Sequence, residues 1–188
     1  MDSIGTKAPA KPRRQLSLRT NLISNALLIP NVGVEMYLND GFSILGSWGY
    51  AWWSRRHTHQ YWRIYGGVAE LRRYLDRNIE QKSFNGHHIG LIVQGFTYDI
   101  ANGKEGQLSH FQYGIASGYG YKLPLTQKID IDVSIGLGYL GGRYMEYGTP
   151  KPGHSCYPWE RTLARYYFGP TYLGISLVWH LSYSDFDH

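Results

Sequence analysis

The segment KIDIDVSIGLGYLGG, residues 128–142, divides its side chains into two alternating series. One series is apolar and ends in an aromatic residue: Ile129, Ile131, Val133, Ile135, Leu137 and Tyr139. The other series is acidic or small: Asp130, Asp132, Ser134, Gly136 and Gly138. Successive side chains of a β-strand point to opposite faces, so the pattern predicts one long strand with an apolar face and a polar face. The kind of protein depends on which face points inward.

Seven further segments have the composition and length of strands. They are residues 15–23, 31–38, 42–53, 61–75, 87–100, 110–123 and 166–181. No helical period extends over a window long enough to predict a helix. The chain has 23 glycines and 15% aromatic residues, a composition that favours strands and tight turns. The sequence therefore predicts an all-β protein of about eight strands.

Two segments do not reveal which of their faces points inward. In residues 61–75, Trp62, Ile64 and Val68 would lie on the same face of a strand as Glu70, and a carboxylate does not fit a uniformly apolar face. A β-bulge at Gly66 and Gly67 would switch the parity, and we expect one there. The pattern of residues 87–100 leaves the facing of that strand open.

The ends of the chain differ in composition from the middle. Residues 1–14 are rich in Ala, Pro, Lys and Arg and lack the apolar core of a signal peptide, so we expect a flexible tail of a mature chain. Residues 15–182 form the predicted β-barrel domain, and residues 183–188 form a short C-terminal tail. No run of about 18 apolar residues occurs, which excludes a transmembrane helix.

Two kinds of barrel fit an alternating pattern. A soluble ligand-binding barrel has apolar residues inside, whereas a transmembrane barrel has them outside. An eight-stranded barrel has little interior space, and the small face with Gly136 and Gly138 suits it better than the apolar face. Residues 129–139 span roughly 33 Å as a strand, and tilting by about 40° gives the height of a membrane barrel's apolar band, roughly 25 Å. We therefore predict a small transmembrane antiparallel up-and-down β-barrel whose lumen is filled by side chains.

This orientation assigns three sets of residues. The lumenal polar candidates are Arg19, Glu35, Glu70, Lys122, Asp130 and Asp132. The lipid-facing candidates are Ile129, Ile131, Val133, Ile135, Leu137, Leu173, Ile175 and Leu177. The aromatic girdle candidates, near strand ends as in membrane-interface belts, are Trp48, Trp52, Trp62, Tyr139 and Trp179. Charges inside a barrel must be paired, so we expect structural ion pairs that close the lumen, with a gate formed by Glu35 or Glu70 and Arg19 as the alternative.

The chain also resembles a known family. The motifs that carry the resemblance include LRTNLISNALLIPNVGVEMYL, YAWWS, YWRIYGG, ELRRYL, GHHIG, TYD, GYGYKLPL, IGLGYLGGRYMEY and FGPTYLGISLVW, in this order between residues 16 and 181. They are similar to the Bacteroidetes outer-membrane proteins catalogued as domain of unknown function 3575. The resemblance implies an outer-membrane β-barrel whose biochemical role is not established, and it implies no catalytic residues.

Other candidate chemistry is weaker. The net charge of +5 is not accompanied by a basic helix or an aromatic nucleic-acid motif, so we expect no nucleic-acid partner. His57, His59, His87 and His88 lack a nearby carboxylate or thiol to complete a metal site, and we expect neither metal nor cofactor. The adjacent His154, Ser155 and Cys156 suggest a hydrolase only if a base and an acid meet in space, which neighbours in one loop rarely achieve.

These observations predict an integral protein of the bacterial outer membrane without catalytic activity. Its expected role is that of a structural or accessory subunit of a cell-envelope assembly; a rim-active lipid enzyme or a small-solute pore is the alternative. Expected partners are outer-membrane lipid, lipopolysaccharide, and other outer-membrane or periplasmic proteins. The turns NDG and LPLTQ are expected in the periplasm, and loops at 54–59, 101–108 and 147–161 are expected outside.

Overall fold

The computed structural model describes residues 16–38, 41–75, 84–148 and 158–181. Eight antiparallel strands follow one another in chain order, and the last strand pairs with the first to close a barrel. The prediction of an all-β, up-and-down barrel of about eight strands is confirmed. The predicted tails at 1–14 and 183–188 lie outside the described residues.

The strands become longer along the chain. They are β1 (Leu16–Asn21), β2 (Asn31–Tyr37), β3 (Phe42–Arg55), β4 (Gln60–Tyr74), β5 (Gly86–Asn102), β6 (Glu105–Pro124), β7 (Ile129–Gly148) and β8 (Trp159–Leu181). β1 has 6 residues and β8 has 23, so β8 and its neighbours extend far beyond the top of β1 and β2. One end of the barrel therefore has a much higher wall on one side than on the other.

The two faces of the opening segment have opposite exposure. In β7, Asp130, Asp132 and Ser134 are buried, whereas Val133 and Ile135 are exposed. The same alternation appears in β6, where Lys122 is buried and Tyr121 and Leu123 are exposed. The acidic and small face thus points into the barrel and the apolar face points outward. The barrel interior is polar, the reverse of a soluble barrel with an apolar core.

The predicted bulge at Gly66 and Gly67 does not exist. The register of β4 runs without a shift against both β3 and β5, from Gln60 to Tyr74. Glu70 is buried, so Trp62, Ile64 and Val68, which share its parity, belong to the inner face. The apolar residues of β4 that looked wrong for an outer face are in fact interior side chains. The open question about β5 is also answered, because His88, Ile92 and Gln94 are buried and Ile89, Leu91 and Val93 are exposed.

A short helix interrupts the strands where the sequence predicted a continuation of β1. The helix α1 covers Leu22–Ala26, so Leu22 is not a strand residue. Asn21 caps it, since its side-chain oxygen accepts hydrogen bonds from the backbone N–H groups of Ile23 and Ser24. With only five residues, this helix was too short to produce a periodic signal in the sequence. Among the described residues, no helix is long and apolar enough to cross a membrane.

The connections alternate between the two ends of the barrel. α1, the short 3-10 turn Arg56–Thr58 and the β5–β6 turn lie at the upper end, opposite the start of β1 and the end of β8. β7 ends and β8 begins at the same upper end. The β2–β3, β4–β5 and β6–β7 connections lie at the lower end. Asn39 and Asp40 of the NDG turn and residues 149–157 of the longest predicted loop lie outside the described residues. The predicted loop at 101–108 is wrong, because β5 ends at Asn102 and β6 begins at Glu105.

The tight turn between β5 and β6 makes Gly103 a test of the fold. Its backbone has φ +94°, and a Cβ atom there would lie 2.7 Å from the carbonyl oxygen of Thr58. We expect Gly103→Val to lower the free energy of unfolding by about 1–3 kcal/mol, because valine strains this conformation. Urea unfolding of the barrel refolded in detergent micelles measures the cost. The neighbouring exposed Lys104→Val should change stability by about 0.5 kcal/mol or less, and equal costs would contradict the turn.

Candidate functional site

All six residues predicted as lumenal lie inside the barrel with buried side chains. Arg19, Glu35, Glu70, Lys122, Asp130 and Asp132 each expose 5% of their surface or less. Five of them take part in one cluster of charged side chains, the lumenal cluster, and Asp130 lies in a separate pair. The lumenal cluster is completed by Arg72 and His88.

Asp132 is the first of two carboxylates that organise the lumenal cluster. One of its oxygens accepts hydrogen bonds from the guanidinium groups of Arg19, at 2.6 Å, and Arg72, at 2.7 Å. The other oxygen lies 2.8 Å from Nε2 of His88. A single carboxylate on β7 therefore connects β1, β4 and β5 across the interior of the barrel.

Glu35 is the second organising carboxylate. Nζ of Lys122 lies 3.0 Å from one of its oxygens, and a guanidinium nitrogen of Arg19 lies 3.5 Å from the same oxygen. The other oxygen accepts hydrogen bonds from the hydroxyl groups of Ser43, at 2.7 Å, and Tyr74, at 2.8 Å. These partners come from four strands besides Glu35's own β2. The lumenal cluster lies on six strands, and the hydrogen bond to Ser43 on β3 connects it to a seventh.

The charges of the lumenal cluster balance. Three cations, Arg19, Arg72 and Lys122, face three carboxylates, Glu35, Glu70 and Asp132. Arg72 also donates to Glu70 at 2.7 Å, so both of its terminal nitrogens have carboxylate partners. Ions taken out of water need such partners, because an unpaired buried charge costs several kcal/mol. The predicted ion pairs are present, although the pairing of Glu70 is with Arg72 and not with Arg19.

Small residues on the neighbouring strands provide the space for these long side chains. A Cβ atom at Gly90 would collide with a carboxylate oxygen of Glu70, and a Cβ atom at Gly120 would lie 2.5 Å from the ring of His88. β6 also contributes Gly114, Ala116 and Gly118 to the inner face. The glycine-rich face of the sequence therefore exists because large charged residues from β1, β2, β4 and β5 fill the barrel.

Aromatic rings cover the lower side of the lumenal cluster. Nζ of Lys122 lies 4.8 Å from the ring centre of Tyr37 and 4.9 Å from that of Tyr74. Phe84 packs against both tyrosine rings, with centroid distances of 4.6 and 5.5 Å. Asp130 forms its own pair with His180 at this end of the barrel. Among the described residues, a buried charged layer backed by aromatic rings therefore crosses the interior of the barrel.

Sequence reasoning missed Arg72 and His88. Arg72 is not among the residues assigned to the lumen from the sequence, and His88 is considered there only as a metal ligand. A usable signal existed for Arg72, since it stands two residues from Glu70 and must share its face in a continuous strand. The expected bulge at Gly66 and Gly67 does not affect this relation, because both residues follow it in the chain.

The outer face carries the residues predicted to meet lipid. Val133, Ile135, Leu137, Leu173, Ile175 and Leu177 are exposed, while Ile129 and Ile131 on the same face are half-buried. Of the girdle candidates, Trp48, Trp52 and Trp179 are exposed on the outer face, and Tyr139 is half-buried there. Contact of this face with lipid stays a prediction.

Trp62 differs from the other girdle candidates. It has the inner parity of Glu70, and its indole N–H donates to the backbone carbonyl of Leu27 at 3.0 Å. Its assignment to an outward-facing girdle is therefore wrong. The continuous register of β4, without the expected bulge, is the physical reason.

The described residues contain no group of three His, Cys, Asp or Glu side chains that could hold a metal ion. Nδ1 of His87 lies 2.7 Å from the hydroxyl group of Tyr119, on the outer face, and His88 is part of the lumenal cluster. His154, Ser155 and Cys156 lie outside the described residues. The arrangement that the described residues do form is a network of ion pairs, which stabilises and closes a barrel.

Comparison with known proteins identifies the family. The model of the family described as "Protein of unknown function (DUF3575)" matches residues 3–181. The chain belongs to the DUF3575 family. The family match begins at residue 3, whereas the resemblance in the sequence motifs begins at residue 16. The match therefore includes most of the N-terminal segment. No curated protein and no solved structure matches this DUF3575 protein.

The lumenal cluster gives a direct test of stability. We expect Asp132→Ala to lower the free energy of unfolding by about 3–5 kcal/mol, because Arg19 and Arg72 lose their shared buried partner. Urea unfolding in detergent micelles measures the loss. Asp130→Ala, two residues away on the same strand, removes a carboxylate whose partner His180 is partly exposed, and should cost about 1 kcal/mol. If the two variants lost equal stability, the organising role of Asp132 would be refuted.

Proposed function

We propose that this DUF3575 protein is an integral protein of the outer membrane of bacteria, specifically Bacteroidetes, and that it serves as a closed structural or accessory subunit of a cell-envelope assembly. The observation that carries the proposal is the reversal of polarity: fully buried ion pairs fill the barrel, and an apolar surface covers its outside. A barrel with this polarity is unfavourable when it is free in water, because a large exposed apolar surface drives association or insertion into lipid.

The order of side chains along the outer face supports insertion. From the lower end upward, β7 carries aliphatic residues from Ile129 to Leu137, then Tyr139, then the exposed Arg143. On β4 the sequence is Leu71, then Tyr65, then Arg63, which forms an ion pair with Asp99 of β5 at 3.0 Å. Aliphatic, aromatic and charged side chains therefore follow one another on two separate strands of the barrel, as expected for a lipid-embedded band with an interfacial girdle above it. The extended upper ends of β4 to β8 would then stand outside the membrane.

The lumenal cluster supports a closed barrel. Arg72, Lys122, Glu35 and Asp132 have essentially no solvent exposure, so an ion or solute could pass only if these pairs separated. This argues against the small-solute pore. A rim-active lipid enzyme would depend on residues such as His154 and Ser155. These two residues lie outside the part of the chain that the structure describes, so the structure gives no support to this alternative. A barrel without a pathway or a described reaction centre is best suited to anchoring or assembling other envelope components, including lipopolysaccharide and periplasmic proteins.

Membrane insertion predicts a depth-dependent cost for charge on the outer face. Ile135 lies in the middle of the apolar band, so Ile135→Arg should destabilise the barrel by about 2–4 kcal/mol in a bilayer. The measurement is urea unfolding of protein refolded into liposomes of two thicknesses. A thicker bilayer should increase the cost, because the arginine then lies farther from water.

Two controls accompany this variant. Ile129→Arg, at the lower end of the same face, should cost about 0–1 kcal/mol. Ser134→Arg changes a buried inner position, and its cost should not depend on bilayer thickness. If the Ile135→Arg cost were independent of thickness, or the barrel folded equally well without lipid or detergent, insertion would be ruled out.

The accessory role predicts stable companions. Extraction of the tagged chain from native outer membranes in mild detergent should recover it in a complex with defined outer-membrane or periplasmic proteins. Mass spectrometry of the eluted material measures this, with another eight-stranded barrel expressed at the same level as control. Recovery of the chain alone, at the size of one barrel in its micelle, would contradict a subunit role while leaving membrane insertion intact.

A further inference from the structure

An exposed arginine marks the upper limit of the apolar band on β7. Tyr139, at the aromatic level, pairs in register with Phe168 of β8, whose side chain is 82% exposed. Arg143 lies four residues farther up the outer face of β7 and is also exposed. In a strand tilted by about 40°, four residues correspond to a rise of roughly 10 Å. Because an aromatic girdle lies at the membrane interface, Arg143 lies at the level of lipid headgroups.

The charge of Arg143 is not neutralised by the protein residues that the structure describes. Arg63, on the same outer face, donates to the carboxylate of Asp99 at 3.0 Å. Arg143, in contrast, forms no ion pair with a described carboxylate. An unpaired cation just above an apolar band attracts the anionic groups of a membrane surface.

A β-bulge in β6 brings a histidine to the same outer surface. The register of β6 against β7 shifts just before Phe111, which pairs with Arg143. His110 and Phe111 follow one another in the chain and are both exposed, whereas Ser109 and Gln112 on either side of them are buried. In a regular strand only one of two successive side chains faces outward. The bulge therefore adds the imidazole of His110 to the outer face near Arg143.

Side-chain hydrogen bonds hold the backbone of both residues in place. Oγ of the buried Ser109 donates to the carbonyl of Arg143 at 2.6 Å, and Nε2 of the buried Gln112 donates to Oγ of Ser109 at 2.7 Å. On β5, the hydroxyl group of Thr97 donates to the carbonyl of His110 at 2.8 Å. A backbone that is already fixed loses little conformational entropy when a ligand binds. The bulge is therefore suited to present His110 and Arg143 to a ligand.

These two side chains border an open depression of about 580 Å³ on the outer surface of β6, β7 and β8. Ala164 of β8 pairs in register with Arg143, and its small side chain leaves space between Thr162 and Tyr166. The rings of Phe111 and Tyr166 border the depression and are 60% and 81% exposed. No aspartate or glutamate is present among the described residues that line it. The depression therefore combines cationic and neutral hydrogen-bond donors with exposed ring faces.

This combination distinguishes between the anionic groups that lipids carry. A guanidinium group binds phosphate through two parallel hydrogen bonds, and an imidazole N–H supplies a further donor. A phosphate monoester carries nearly two negative charges and three free oxygens at neutral pH, whereas the phosphodiester of a phospholipid carries one charge. Arginine and histidine together match the monoester better. The exposed aromatic rings offer flat apolar faces against which a sugar ring can pack.

We propose that this depression binds the phosphate monoester of a glycolipid, namely the phosphorylated sugar of the lipopolysaccharide anchor. Arg143 and His110 hold the phosphate, the sugar lies against Phe111 and Tyr166, and the acyl chains extend downward over the apolar band. This inference rests on the proposed membrane location, with the upper end of the barrel outside, because the outer leaflet then presents such headgroups at this height. It names one lipid partner of the barrel and the residues that bind it.

Native mass spectrometry of the full-length barrel, released from detergent micelles, counts the lipids that stay bound. The probes are lipid A with one phosphate monoester, the same lipid A after phosphatase treatment, and phosphatidylglycerol. We expect phosphorylated lipid A to bind about tenfold more tightly than either other probe. Arg143→Gln should weaken its binding about tenfold, because the bidentate cation is lost. Arg73→Gln, which removes an exposed arginine at the lower end of β4, should leave the binding unchanged.

Ala164→Trp is a second variant that fills the depression without removing a charge, and it should also weaken the binding about tenfold. Heat-modifiable gel migration verifies the folding of each variant. The site is overturned if phosphorylated lipid A binds no more tightly than the other two probes, or if Arg143→Gln and Ala164→Trp both bind it as the wild type does. Flotation of the barrel with liposomes is measured in parallel. A barrel that floats without distinguishing the probes disproves this site alone, whereas a barrel that does not float disproves the proposed membrane location.

Discussion

The buried carboxylate of Asp132, held between two guanidinium groups, is the interaction on which the rest of the structure depends. A carboxylate in a dry interior is tolerated only with compensating charges and hydrogen bonds, and Arg19 on β1 and Arg72 on β4 supply them from strands that do not pair with β7. This requirement fixes which face of each strand points inward. Because side chains alternate, a slip of one residue would place these charges outside and the aliphatic residues inside.

The filled interior accounts for both the glycine content and the outer surface. Gly90 and Gly120 stand where Glu70 and His88 need space, so the small residues and the charged residues are two parts of one packing arrangement. With polar groups filling most of the interior, most apolar side chains of the strands lie outside and form the outer band. The DUF3575 family is one of unknown function. The proposed role in the outer membrane therefore depends on the polar interior and apolar exterior of the barrel and on tests of membrane insertion.

The barrel is not symmetric, and the asymmetry separates two regions with different chemistry. The lower half is closed by ion pairs and aromatic rings. In the upper half, the short β1 and β2 end early, residues 22–30 occupy the space above them, and apolar side chains of β4 line a cavity.

The sequence by itself determined the fold class, the approximate strand number and the facing of most strands, because period-two alternation reports a barrel face directly. It also indicated Arg19, Glu35, Glu70, Lys122, Asp130 and Asp132 as interior residues. Tertiary structure alone decided the partners: Arg72 joins Asp132 from a strand 60 residues away, a distance that no local pattern encodes. It also decided the facing of β4. The inner face of this strand carries charged side chains at its lower end and apolar side chains higher up, and the sequence pattern alone does not resolve such a mixture. The helix α1 escaped prediction because its five residues are held by the Asn21 cap and by contacts with β8, and not by a repeating pattern of their own.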